Sequence, residues 1–466
     1  MRFLFSAMLL CTLSLQCTFC GEETSASPPP YLKPVPPDAL MAEPYDWELS
    51  RRAVPSVTDL VLIYGGGHHR TPYEWDKERL SDYVTYTDPD GRTQWLFDGF
   101  LLLEIMDPDG NGGSGVKFAD GYTYDGRPLR SADRAAWQRL IDYCFGDDTG
   151  IGALEDAVAE AAAHLGAPAV KRRVVVAIPE PIRYRDVDSK VTRYWGSVDG
   201  EALDFSDAND RLKACKWFID TVRAEFDRRK YAHVELGGFY WLAEKDSDTS
   251  GILGAIACYL DGLNESFNWI PYFGASGARQ WKSYGFHCAY LQPNYFFSES
   301  VPESRLDEAC RMAEEADMHL ELEFDDNALE SRGKAGRLRD YMSAFRRNGV
   351  WSDKRLAYYQ GGQSLRTLKY SAAAADRELY HAFCSFVVSR PIRTSRCGPD
   401  DMRGDPGRVR DVAPAVDLHR KGPECSARIS IKARSRRSCI SWRSRPVEPG
   451  RSRRPKRPPR SASSAP

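Results

Sequence analysis

The chain has 466 residues, 42% hydrophobic and 28% charged, so most of it has the means to bury a core. The net charge of -2 conceals two opposed parts: from Arg390 onward there are 21 Lys and Arg against 7 Asp and Glu, which leaves the preceding body acidic. That acidity argues against nucleic-acid binding by the body, and 12 scattered cysteines without CxxC or Cys/His spacing argue against a disulfide framework or a zinc module.

Residues 1–20 read as a signal segment. Met1-Arg2 supplies the positive start, and Phe3 to Leu15 is an apolar run too short to span a bilayer comfortably. Thr18-Phe19-Cys20 offers a cleavage site before Gly21. The expectation is an exported protein, periplasmic, cell-surface or extracellular, that meets the membrane only if Cys17 or Cys20 carries a lipid. Gln16 and Phe19 stand where a lipidation site has Gly or Ala, which weighs against the anchor. Residues 21–55 are rich in Pro, Ser and Thr and read as an extended linker.

Residues 56–388 alternate short apolar strands with amphipathic helices. Strands are predicted at 57–64, 97–105, 172–179, 233–241, 267–273, 286–291, 318–324 and 355–360. Helical periodicity is predicted at 153–165, 208–229, 252–263, 303–316, 336–348 and 372–388. In 208–229, for example, Leu212, Cys215, Phe218, Ile219, Val222 and Phe226 mark one face. Eight strand–helix units predict an α/β fold of the closed (β/α)8 TIM-barrel kind. An open dinucleotide-binding sheet is the main rival. It needs GxGxxG after the first strand, where Gly65-Gly66-Gly67 stands instead. Residues 389–466 lose all periodicity and carry 18 Arg and 3 Lys. They read as a disordered basic tail, translated out of frame and without a function of its own.

In a (β/α)8 barrel the chemistry sits where strands run into their following loops. Those positions hold Tyr64 and His68 after strand one, Glu104 after strand two, Glu180 after strand three, and Tyr240, Trp241 and Glu244 after strand four. Strand six leads to Gln292, Asn294 and Tyr295, strand seven to Glu321, Glu323 and Asp325, and strand eight to Gln360. In HLELEFDD, Leu320, Leu322 and Phe324 alternate with Glu321, Glu323 and Asp325, so period two turns the acids inward. Acids inside a packed barrel cost several kcal/mol unless paired or solvated, but at the mouth they are tolerable and useful.

Glycoside hydrolysis needs two carboxyl groups, and Glu244 and Glu323 are the candidate catalytic pair. Glu321, Glu180, Glu104, Asp325 and Tyr64 are candidate supporting groups. Trp195, Tyr240, Trp241, Gln292, Asn294, Tyr295, Gln360 and His68 are candidates to bind a sugar. Any one of these acids taken alone is as readily a salt-bridge partner. His68-His69 lacks a third ligand at a recognisable spacing, so no metal site and no cofactor is expected.

Six segments carry a family resemblance: LVLIYGGG at 60–67, FDGFLLLE at 97–104, RYWGSVDGEALDFSDANDR at 193–211, LGGFYWLAE at 236–244, YLQPNYFF at 290–297 and LELEFDD at 320–326. Together they resemble the exported bacterial family labelled domain of unknown function 4855. The resemblance implies export and a barrel similar to glycoside hydrolases. Many retaining glycoside hydrolases place the acid/base after strand four and the nucleophile at strand seven, which corresponds to Glu244 and Glu323. Several of them have Asn before the strand-four Glu; here it is Ala243.

The expectation is therefore a retaining glycoside hydrolase acting on a polysaccharide outside the cytoplasm. The alternatives are a non-catalytic glycan-binding barrel at the cell surface and a metal-assisted hydrolase using His68, His69 and the strand-seven acids.

Overall fold

The computed structural model describes residues 57–65, 74–108, 115–124, 126–184 and 193–395. The signal segment, the linker, His68, His69 and the tail beyond Ser395 lie outside the described residues.

Eight parallel strands close into a barrel. They are β1 (Asp59–Tyr64), β2 (Gly99–Leu103), β3 (Arg172–Ile178), β4 (Val234–Trp241), β5 (Phe267–Trp269), β6 (Cys288–Leu291), β7 (His319–Glu323) and β8 (Leu356–Tyr359). Each lies within a stretch predicted as a strand, trimmed at its ends. The helices are α1 (Lys77–Val84), α2 (Arg134–Cys144), α3 (Gly150–Leu165), α4 (Ala208–Arg229), α5 (Leu253–Gly262), α6 (Ser304–Glu315), α7 (Ala335–Arg347), α8 (Ser364–Lys369), α9 (Ala374–Val388) and α10 (Pro391–Ser395). Strands such as β1, buried along its whole length, read as continuous apolar runs because both faces are covered.

Register fixes which residues look inward. Glu321 and Glu323 on β7 pair with Ala357 and Tyr359 on β8, while Leu320 and Leu322 pair with Leu356 and Tyr358 on the helix-facing side. On β4 a bulge shifts the register opposite Val174 and Val175. Gly238 adopts φ 122° there, and a Cβ would meet Ser266 Oγ at 2.0 Å, so the LGGF segment needs glycine at this point.

Four sequence readings need adjustment. Helices α1 and α2 were not anticipated, although Asp76 and Asp133 cap their N-termini by accepting from Arg79 N and Ala136 N at 2.9 Å. The β5–β6 connection holds a 3-10 turn, Ala278–Gln280, in place of an α-helix, and Phe286 from it stacks on Trp269 at 5.0 Å. The small hairpin Tyr194–Val198 with Glu201–Asp204 also lies outside the strand–helix pattern.

The last adjustment concerns the boundary at 389. Ordered chain continues through α10, and Arg390 is fully buried, ion-paired with Asp59 of β1 and bonded to Lys354 O. Arg393 reaches the other Asp59 oxygen at 3.3 Å. The barrel unit therefore extends to at least Ser395.

Candidate active site

Glu323 ends β7 at the barrel mouth and is 1% exposed. Its Oε2 accepts from the Tyr341 hydroxyl at 2.6 Å and from the Asn294 backbone N–H at 2.7 Å. Both bonds fall on one oxygen, which leaves Oε1 for a substrate. The local chain is shaped for this. Asn294 sits at φ 52°, the left-handed region that Asn tolerates, and so turns its N–H toward β7. Tyr341 comes from α7 and accepts from Tyr295 N at 3.3 Å, which fixes the hydroxyl between the two elements.

Glu321 lies two residues deeper on the same face, 2% exposed, with Oε1 making no hydrogen bond among the described residues. Burial raises its carboxyl well above the ordinary range, and the charges of Glu323 and Glu244 raise it further. Burial raises Glu323 as well. The Tyr341 and Asn294 bonds oppose that rise, and the Glu244 charge adds to it. The pair is thus graded: Glu323 is the more easily ionised of the two and Glu321 holds its proton.

Glu244 follows β4 by three residues and is half-buried. Two anchors place it. The Ala243 carbonyl accepts from Trp269 Nε1 at 2.7 Å, and Asp246 N donates to Ser276 O at 2.9 Å. Its charge acts on Glu321, Glu323, Tyr240 and Tyr272. The three glutamates therefore form one electrostatic group at the mouth.

Tyr64 and Tyr240 share this space; both are buried, and burial together with Glu244, Tyr64 and Glu321 raises the Tyr240 phenol well above its usual value. Three residues not anticipated from the sequence extend the wall. Tyr359 meets Tyr64 edge-on at 5.9 Å, and exposed Phe297 meets Tyr359 edge-on at 5.6 Å. Tyr272 lies near Glu244. The inward period of β8 carried a signal for Tyr359. Tyr341 carried none, because a tyrosine on the apolar face of a helix reads as core.

Several candidate residues turn out to serve structure. Trp195, on the first strand of the hairpin, is buried, stacked on Phe205 at 5.4 Å and packed on Trp137, so no sugar reaches it. Trp241 is 1% exposed and packs on Phe267, because its strand position faces the helices. The Tyr295 hydroxyl donates to Asp340 at 2.7 Å while Arg337 covers its ring.

The Gln360 side chain is bonded to Tyr83 OH, Leu62 O and Gly362 O. Gln292 ties the β5 loop through Ile270 O at 2.8 Å. Asn294 acts through its backbone. Asp325 caps the turn at Asp326–Ala328, accepting from Asn327 N at 2.8 Å. Glu104 turns the chain after β2 by accepting from Ile105 N at 2.8 Å.

Glu180 accepts from Asp120 N, Ser247 Oγ and Thr249 Oγ1 at 2.7–3.0 Å, so it clamps the loops after β2, β3 and β4 together. It supports the mouth but is saturated. Among the described residues, no group of three or more His, Cys, Asp or Glu is placed to hold a metal ion.

A family profile matches residues 59–385, nearly the whole barrel. The chain belongs to the family described as Domain of unknown function (DUF4855). No curated protein matches it. Solved structures similar to the DUF4855 barrel include tryptophan synthase from M. tuberculosis, at 10% identity and TM-score 0.30 over 73% of this chain and 95% of that one. The GH18 chitinase ChiB of Flavobacterium johnsoniae matches at 8% and 0.32 over 71% and 94%. A GH5-4 broad-specificity endoglucanase from an uncultured bacterium matches at 10% and 0.34 over 74% and 95%. Likeness at this level says nothing about what the DUF4855 barrel acts on.

Proposed function

We propose that the protein is a retaining glycoside hydrolase acting on a polysaccharide outside the cytoplasm. Glu323 is the nucleophile and Glu244 the acid/base. One observation carries the reading. A nearly fully buried glutamate at the mouth of a (β/α)8 barrel has one oxygen held by two donors and lies within the field of a second, half-buried glutamate.

The donors stabilise Glu323 as an anion, as a nucleophile requires. Attack by Oε1 on the anomeric carbon breaks the bond to the leaving oxygen, which takes the Glu244 proton. Water, deprotonated by Glu244, then breaks the glycosyl ester, and Glu323 leaves as carboxylate. Tyr64, Tyr359 and Phe297 give the sugar ring an aromatic wall. The test is a panel of polysaccharides with product analysis by proton NMR. The reading expects the initial product to keep the anomeric configuration of the bond cleaved. An inverted product would remove the nucleophilic role of Glu323.

A further inference from the structure

The proposed reaction gives Glu321 no task, yet a carboxyl buried without a hydrogen-bond partner costs stability. Its side chain faces inward by the same register that turns Glu323 inward, two residues or about 6.6 Å deeper along β7. Oε1 has no hydrogen-bond partner among the described residues. The surrounding sequence accounts for that. Ala357 stands opposite Glu321 on β8 and has no polar side-chain atom to offer. Leu320 and Leu322, before and after it, pair on the helix-facing side.

The hydrogen-bonding role open to Glu321 follows from its neighbour. The Tyr341 hydroxyl and the Asn294 N–H both donate to Glu323, so Glu323 takes the negative charge more easily. Two buried carboxyl groups at successive inner positions of a strand do not both ionise readily. Glu321 therefore keeps its proton, in line with its burial and with the charges of Glu323 and Glu244.

A protonated carboxyl both donates and accepts, and so does a sugar hydroxyl. A ligand carboxylate at the same place would meet the Glu323 charge, which disfavours it. The orphaned group thus matches a neutral hydroxyl.

We propose that Glu321 binds the sugar lodged against Glu323 directly, donating a hydrogen bond to one of its hydroxyl groups. The inference rests on the reading of this mouth as a glycan site. It makes Glu321 a determinant of specificity. A site built to hydrogen-bond a hydroxyl rejects a sugar that lacks it, because the buried polar group is then left unpaired.

The experiment measures binding and cleavage of cello-, xylo-, manno-, laminari- and chito-oligosaccharides by the full wild-type chain, by Glu321→Gln and by Glu321→Leu. Gln keeps a donor and an acceptor in place, so Glu321→Gln should bind as the wild type does. Glu321→Leu leaves the hydroxyl unpaired and should bind about ten-fold more weakly. Wild-type affinity should also fall as pH rises and Glu321 gives up its proton. Glu321→Gln should lack that fall, because an amide donates at every pH.

Leu binding as tightly as Glu, Gln binding as weakly as Leu, or no oligosaccharide bound by the wild type would overturn the inference. Should Glu321→Leu fail to fold, the pH dependence of the wild type against Glu321→Gln decides. Cleavage is read separately. A glycan held through Glu321 but never cut removes the hydrolase and leaves the contact, whereas binding and cleavage unchanged in Glu321→Leu remove the contact and leave the hydrolase.

Discussion

Glu321 and Glu323 occupy successive inner positions of one strand, yet what holds them differs. Two donors grip Glu323, and Glu321 has one oxygen without a hydrogen-bond partner among the described residues. Replacing Tyr341 by Phe removes the nearer donor. A hydrogen bond to a charged group is worth about 1.5–3 kcal/mol, or roughly one to two pH units. The acidic limb of the pH–rate profile should therefore move up by about that amount in Tyr341→Phe, because less of Glu323 is ionised at any given pH. A merely structural tyrosine would lower kcat without moving the limb.

Glu321 makes a stability prediction of opposite sense to the usual carboxylate. Its folded pKa lies well above the usual glutamate value of 4.5, so the folded state holds a proton that the unfolded state gives up. Stability is fully present below 4.5 and is lost as pH rises toward the folded value. Glu321→Gln removes this titration. Thermal denaturation between about pH 5 and about pH 8 should show a decline in the wild type and a flatter course, with a higher Tm at neutral pH, in the variant. A variant less stable than wild type at pH 8 would contradict the assignment.

At the scale of elements, α10 closes the barrel from below. Asp59 and Arg390 are both fully buried, and the Tyr358 hydroxyl donates to Asp59 at 2.7 Å. Ending the chain after Val388 would remove Arg390 and Arg393 and strand the Asp59 carboxylate. Breaking a buried pair from one side costs about 3–5 kcal/mol. Chains ending at Val388 should therefore melt well below chains ending at Ser395, and the latter should match full length. Equal melting of the two truncations would make the latch unimportant.

The composition change at Ser389 was legible, but not that α10 belongs to the barrel. Five residues show no periodicity, and the Arg390 partner lies 331 positions away. The eight strands were legible because alternation and apolar runs are local. The inward turn of Glu321 and Glu323 followed from period two alone. Trp241 at a strand end and Trp195 between strands three and four are candidate sugar platforms by residue type, and only packing reveals which face is sealed.

Across the whole molecule, charged groups gather at both poles of one barrel. Glutamates cluster at the C-terminal mouth, and the buried Asp59–Arg390 pair lies at the N-terminal end. The fold brings them onto one axis, and the proposed chemistry concerns only the first.

The most direct test compares reducing ends released from a polysaccharide panel by the wild-type chain and by Glu323→Gln, with binding measured in parallel. The account predicts that at least one polysaccharide is cleaved by the wild type, and that the variant loses cleavage by a factor on the order of 10³ or more while still binding it. Full cleavage by Glu323→Gln would contradict it, as would glycans bound by both proteins and cut by neither.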